Sequence, residues 1–246
     1  MVDRRRLLVG SFGAVLASRA SAGSPPQATA DIDQLGKFEL LLGQPGIVVG
    51  VPHGTPDIGT LELGRTLRER LGAGGVVVTG FWDAKTRQRI NVNRPTEQLI
   101  GQDSQVLREW QSDRAVAANA RYDTLVKEAA QGRLKVFYEI HSNHRPLLAG
   151  SIEVSTLGLS RGDAKRLKAA FEAARERLAP DVPRLAIHVS PLDKVMYPNY
   201  GAASSISKLS ERGCAIESPG HVLGNRAWRL AYGACLADSI KEAQWG

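Results

Sequence analysis

Beyond residue 30 the chain alternates short apolar runs with longer stretches of helical period, an order that belongs to βαβ units rather than to a sandwich or a bundle. Residues 47–51 (IVVGV) form an uninterrupted apolar run of buried-strand type. Residues 60–71 (TLELGRTLRERL) carry leucines at helical spacing and stop at Gly72. A second strand is expected at 76–81. The polar, arginine-rich stretch 82–95 comes next and leads into a region read as helical to about residue 131, with Ser112 a suitable N-cap for its later part. Residues 134–140 (LKVFYEI) read as a strand that ends in a histidine-rich turn, and 152–154 as a shorter one. Residues 162–178 predict a strong amphipathic helix halted before Pro180. Strands at 185–189 and 214–217, a helix near 204–212 and a last helix over about 224–243 complete the chain. The fold class is therefore α/β: a mixed, largely parallel sheet with helices on both faces. No repeat and no interior linker divides it, so residues 31–246 are read as one domain.

The first 22 residues read as an address. Arg4, Arg5 and Arg6 precede an apolar, small-residue stretch from Leu7 to Ala17, and Ala20-Ser21-Ala22 offers a small-x-small cleavage site. That stretch is too short to span a bilayer. Consecutive arginines before Leu7-Leu8 resemble the twin-arginine export signal, which a receptor reads and which does not anchor the chain. Residues 23–30 (GSPPQATA) are expected to be a flexible linker. The expected location is periplasmic or secreted, without a membrane anchor.

Composition narrows the class further. A hydrophobic share of 43% with 23% charged residues excludes a disordered or collagen-like chain. Lys+Arg 32 against Asp+Glu 25 gives a net charge of +7. Removing the signal takes away four arginines and one aspartate and leaves +4, too small and too scattered a surplus for a nucleic-acid binder. The two cysteines, Cys214 and Cys235, rule out a disulfide framework and a zinc finger, and are either a single pair or two buried thiols.

In open α/β sheets the working groups gather just past the carboxyl ends of strands. Four such ends are polar here: PHGTPD at 52–57, NVNRP at 91–95, HSNHR at 141–145, and Glu217. A histidine and a carboxylate a few residues apart on one turn, with a second histidine from another strand end, supply a three-ligand nitrogen-and-oxygen site that leaves zinc one open position. Two neutral imidazoles and one carboxylate neutralise only part of the ion's charge, so it remains a strong Lewis acid. A separate carboxylate beside such a site, the role that suits Glu217, can take a proton from water and pass it to a leaving nitrogen. Arg94, fixed by Pro95, offers a fork for a substrate carboxylate, and Arg145 is a second candidate contact. Arg87 and Arg89 read as an exposed charged loop.

In order along the chain, VPHGTPD, NVNRP, EIHSNHRP and CAIESPG resemble the motifs of the N-formylglutamate amidohydrolase family, which is related to zinc carboxypeptidases and to succinylglutamate and aspartate acylases. The resemblance covers about the whole mature chain and implies a zinc-carboxypeptidase-like fold. By that likeness His53, Asp57 and His141 would be zinc ligands, Asn93 and Arg94 would hold a substrate carboxylate or carbonyl, and Glu217 would be the general base and acid. The carboxypeptidase branch places Glu three residues after the first histidine. This chain has Pro56 there and Asp57 one residue later, with Glu62 a fallback ligand. The expected activity is zinc-dependent hydrolysis of an amide bond in an N-acyl (formyl) amino acid or a peptide end. The partner would be a small molecule or peptide bearing a carboxylate. The alternative is a periplasmic binding protein whose degraded metal site captures a small anionic ligand.

Overall fold

The computed structural model describes residues 28–102, 105–197 and 204–243, with side chains from Ile32 onward. The expected export signal at 1–22 and residues 23–27 of the expected linker lie outside the described residues. Its last three residues already belong to the first helix, α1 (Ala28–Leu35).

The main sheet has seven strands, β1 (Gly36–Leu41), β2 (Gln44–Val51), β3 (Ala73–Gly80), β8 (Val136–Asn143), β9 (Ser151–Leu157), β10 (Ala186–Val189) and β11 (Arg212–Pro219), in the order β1-β3-β2-β8-β11-β9-β10. The central block β3-β2-β8-β11 is parallel. The edge strand β1 runs antiparallel to β3, and β9 runs antiparallel to β11 while pairing in parallel with β10. This is the mixed, largely parallel sheet that the alternation of apolar and helical segments predicts. Helices α2 (Thr60–Leu71), α4 (Arg161–Leu178) and α7 (Arg226–Glu242) bury Leu63, Leu67, Phe171 and Leu236 on one face. On the other face α1, α3 (Asp113–Ala130) and the short α5 (Ser205–Leu209) bury Ile32, Tyr122, Val126 and Ile206. A short helix, α6 (Gly220–Gly224), joins β11 to α7.

The local signals explain where helices begin and end. The Ser112 side chain accepts the N–H of Ala115, and Ser160 forms a reciprocal capping box with Asp163. Gly72 closes α2 with φ 66°, in the left-handed region that a residue with a Cβ avoids.

One expectation fails. Residues 96–111 are not helical: the segment after β3 folds into a second, antiparallel sheet of β4 (Trp82–Asp83), β5 (Gln88–Asn91), β6 (Thr96–Ile100) and β7 (Val106–Gln111), in that order. Its side chains are too polar on both faces to show an apolar period of two, which is why the stretch reads otherwise. Glu97 of β6 ties this sheet to α3, because its carboxylate pairs with Arg114 and accepts the Ser112 hydroxyl. Among the described residues no helix is long and apolar enough to cross a membrane.

Candidate metal centre

Strands β2, β3, β8 and β11 run in one direction, so their carboxyl ends share one edge of the sheet. His53 follows β2, whereas His141 and Glu217 lie near the ends of β8 and β11, where they are directly paired across the parallel ladder. Past β2 the chain makes a tight turn in which the Asp57 N–H donates to the His53 carbonyl at 3.0 Å. That i, i+4 turn sets the two side chains on one side. The Thr60 hydroxyl, at the start of α2, holds the Asp57 carbonyl at 2.7 Å.

His53, Asp57 and His141 are all buried, and one ligand atom from each lies within 4.8 Å of the others. His53 Nδ1 is 3.5 Å and His141 Nδ1 3.8 Å from Asp57 Oδ2. Both spacings are longer than a hydrogen bond of this type. They approach the edge, about 3.4 Å, of a tetrahedron with the 2.0–2.1 Å bonds of zinc to nitrogen and oxygen. The imidazole rings are 5.2 Å apart at their centroids. On the far side of each ring, His53 Nε2 donates to Asn91 Oδ1 at 2.6 Å, and His141 Nε2 sits 3.6 Å from Glu139 Oε2. These donor atoms, two imidazole nitrogens and one carboxylate with outer partners behind them, fit a borderline-soft divalent ion.

The charges agree. Asp57, Glu139 and Glu217 are buried beside His141, and Glu153 is buried next to Glu217. Arg89 Nη1, 3.6 Å from Asp57 Oδ1, is the cation facing that carboxylate from the small sheet. Burial raises the Asp57 carboxyl, but the imidazoles of His141 and His53 close beside it and the charge of Arg89 outweigh it and hold the group well below the usual carboxylate range. Burial pushes His53 down to about 4, with Arg89 acting in the same sense against Asp57. For His141 burial is the largest influence and lowers it, yet Asp57, Glu139 and Glu217 together carry it up to about 10. His141 thus lies amid carboxylates, which is where a cation is favoured. Burial, with Asp57 and Glu153 adding negative charge, pushes Glu217 up to about 7 against the pull of His141 and Arg89.

The edge opens into a cleft of about 480 Å³, walled on one side by the strand ends and on the other by the small sheet. Arg94 and Arg145 both line it. The Arg145 guanidinium lies over the Tyr197 ring, 4.7 Å from its centroid. Glu153, opposite Glu217 in the β9–β11 ladder, accepts the backbone N–H groups of Met196 and Tyr197 and so fixes the segment that carries that ring. Asn93 is buried and donates its amide N–H to Glu139 Oε2 at 2.9 Å. Glu62 is away from the site, half exposed on α2 and 3.8 Å from Arg229.

Arg87 and Arg89 are corrected by the structure: both line the cleft instead of an exposed loop. Arg89 is held by Gln98 across the small sheet, and Arg87 donates to the carbonyls of Ile100 and Gly101. Asn91 and Glu139 stand in the motifs NVNRP and EIHSNHRP, but sequence reasoning gives neither of them a role. Glu139 is fully buried within an apolar strand, the same signal that singled out Glu217. The two cysteines are buried and unpaired.

No family model matches the chain, and no curated protein matches it. Solved structures do share its fold. A bacteriophage poly-gamma-glutamate hydrolase is 12% identical, with 85% of this chain and 89% of that one covered at a TM-score of 0.52. The protein YndL, described in a zinc-free form, is 12% identical, with 86% and 92% covered at a TM-score of 0.52. A gene product of Agrobacterium tumefaciens is 16% identical, with 86% and 96% covered at a TM-score of 0.50.

Proposed function

We propose that this chain is a zinc-dependent hydrolase of an amide bond in an N-acyl amino acid, a formyl one included, or at a peptide end. The observation that carries the reading is the convergence of His53, Asp57 and His141 beside Glu217, whose carboxyl is pushed up to about 7, at the floor of an arginine-bearing cleft. The names of two proteins with the same fold, one a hydrolase and the other described as zinc-free, accord with it.

His53, Asp57 and His141 would hold the divalent ion, which would supply Lewis acidity toward a carbonyl oxygen and toward water. The chain's own residues do the rest. Glu217 takes the proton of the attacking water and returns it to the leaving nitrogen, and a carboxyl near 7 can do both at neutral pH. Arg94 and Arg145 would bind a carboxylate of the substrate and set the scissile bond against Glu217. Export belongs to the same proposal: the twin-arginine-like segment 1–22 would be removed after Ala22 and the hydrolase delivered to the periplasm or medium, which N-terminal sequencing of the secreted protein checks.

The test is turnover of formyl, acetyl and succinyl amino acids and short peptides, with zinc and with chelator. Activity should vanish in chelator, and Glu217→Gln should keep one zinc per chain while losing about 10²–10⁴ in kcat. A wild-type chain that takes up no zinc, or a Glu217→Gln variant with undiminished turnover, overturns the reading. A metal-free protein that binds dicarboxylates without cleaving any amide is a binding protein and overturns it too.

A further inference from the structure

We infer that Asn91 and Asn93 are positioning residues that together set the orientation of both metal-facing imidazoles, so that one three-residue segment of the small sheet governs metal affinity. The inference rests on the metal reading above and adds to it a role for two residues outside the ligand set.

Asn91 ends β5, and its Oδ1 accepts from His53 Nε2 at 2.6 Å. An amide oxygen can only accept, so the proton of that ring sits on Nε2 and the lone pair of Nδ1 faces Asp57. Asn93 acts on the other ring through one intermediary. Its Nδ2 donates to Glu139 Oε2 at 2.9 Å, and that same oxygen is 3.6 Å from His141 Nε2. Both rings turn Nδ1 toward Asp57. The outer nitrogen of His53 is bonded to Asn91, whereas that of His141 has no hydrogen bond and faces, at 3.6 Å, the Glu139 oxygen that Asn93 holds. Val92 between them is buried in the core beneath α3.

The segment is held from behind. Asn119 of α3 donates to the Val92 carbonyl at 2.8 Å, and the backbone N–H of Ser205 in α5 donates to the Asn93 carbonyl at 3.0 Å. Lys208 binds Asn119 Oδ1 at 2.7 Å and Asp123 Oδ2 at 2.6 Å, closing the network. A segment fixed at the carbonyls of Val92 and Asn93 has little freedom to let either asparagine drift. Outer partners of this kind orient a ligand ring, and losing one costs about 10–100-fold in metal affinity.

The two asparagines do opposite chemistry, and that supplies the test. Asn91 must accept, so Asn91→Asp keeps the bond while Asn91→Leu loses it. Asn93 must donate, so Asn93→Asp sets two carboxylates face to face and fails. Zinc affinity measured by competition with a chromophoric chelator should stay near the wild-type value in Asn91→Asp and fall about 10–100-fold in Asn91→Leu and Asn93→Asp. A general loosening of the segment would not divide the two aspartate variants. Wild-type affinity in Asn91→Leu, or two aspartate variants that respond alike, overturns the inference. A wild-type chain that takes up no zinc overturns the metal reading instead. Nitrogen NMR of the metal-free protein then decides the present point: a His53 Nε2–H form that disappears in Asn91→Leu supports it, and one that persists overturns it.

Discussion

Glu217 shows how a single carboxyl can be useful and costly together. In the unfolded chain it would ionise near the ordinary glutamate value, whereas in the fold burial and the neighbouring Asp57 and Glu153 hold it up to about 7 despite His141 and Arg89. The folded state therefore keeps a proton that the unfolded state has already lost, so stability falls as pH rises from about 4.5 to about 7 and the full cost is present above that. In chelator, Glu217→Gln should be more stable than the wild type by about 1–3 kcal/mol at pH 8 and no more stable below pH 4.5. Urea denaturation at the two extremes checks this, and equal stabilities at pH 8 would count against it. A charge inside an apolar strand was legible in the sequence, and so were two histidines and an aspartate at strand ends. Asn91 and Arg89 were not, because their work depends on a strand pairing that a polar, period-free segment does not announce.

At the scale of elements, what the sequence shows depends on how one-sided each element is. Helices α2, α3 and α4 each bury one stripe and carry a cap or stop residue, and all three are predictable. Strand β1 exposes or half-exposes all its residues at a sheet edge, and β7 is exposed along most of its length, so neither displays a pattern. The packing of α2 against the sheet has a sharper signature. Gly64 faces β2, and a Cβ placed there would meet Val51 Cγ2 at 2.2 Å. Val51 leads directly into Pro52 and His53, so pressure at this contact acts on the turn that carries the first histidine. Gly64→Ala should cost about 1–3 kcal/mol by overpacking, even though alanine is the better helix former. Adding Val51→Ala should return part of that loss in a double-mutant cycle. Additive losses in thermal denaturation would show that the two residues do not press on one another.

Across the whole molecule the cleft is a joint between two sheets with unequal support. The ligand-bearing strands β2 and β8 lie inside the seven-stranded sheet, flanked on both sides and covered by helices, whereas the small sheet is four short antiparallel strands with an exposed edge. Three site contacts span the joint: Asn91 to His53, Arg89 to Asp57, and Asn93 to Glu139. An ion drawing His53, Asp57 and His141 together would tighten the side chains to which the small sheet is fastened. Its stabilisation should therefore extend beyond the strands that own the ligands. Free zinc at a hundred times its Kd should add about 2.7 kcal/mol to the folded state, enough to raise Tm by roughly 5–10 °C for a chain of this size. The distribution of that gain is the sharper prediction. Hydrogen exchange with zinc and with chelator should show new protection at residues 88–100 of the small sheet as well as at 47–57, since local opening of β5 would have to break the bond to His53. Protection confined to β2 and β8 would mean that the small sheet moves independently of the metal.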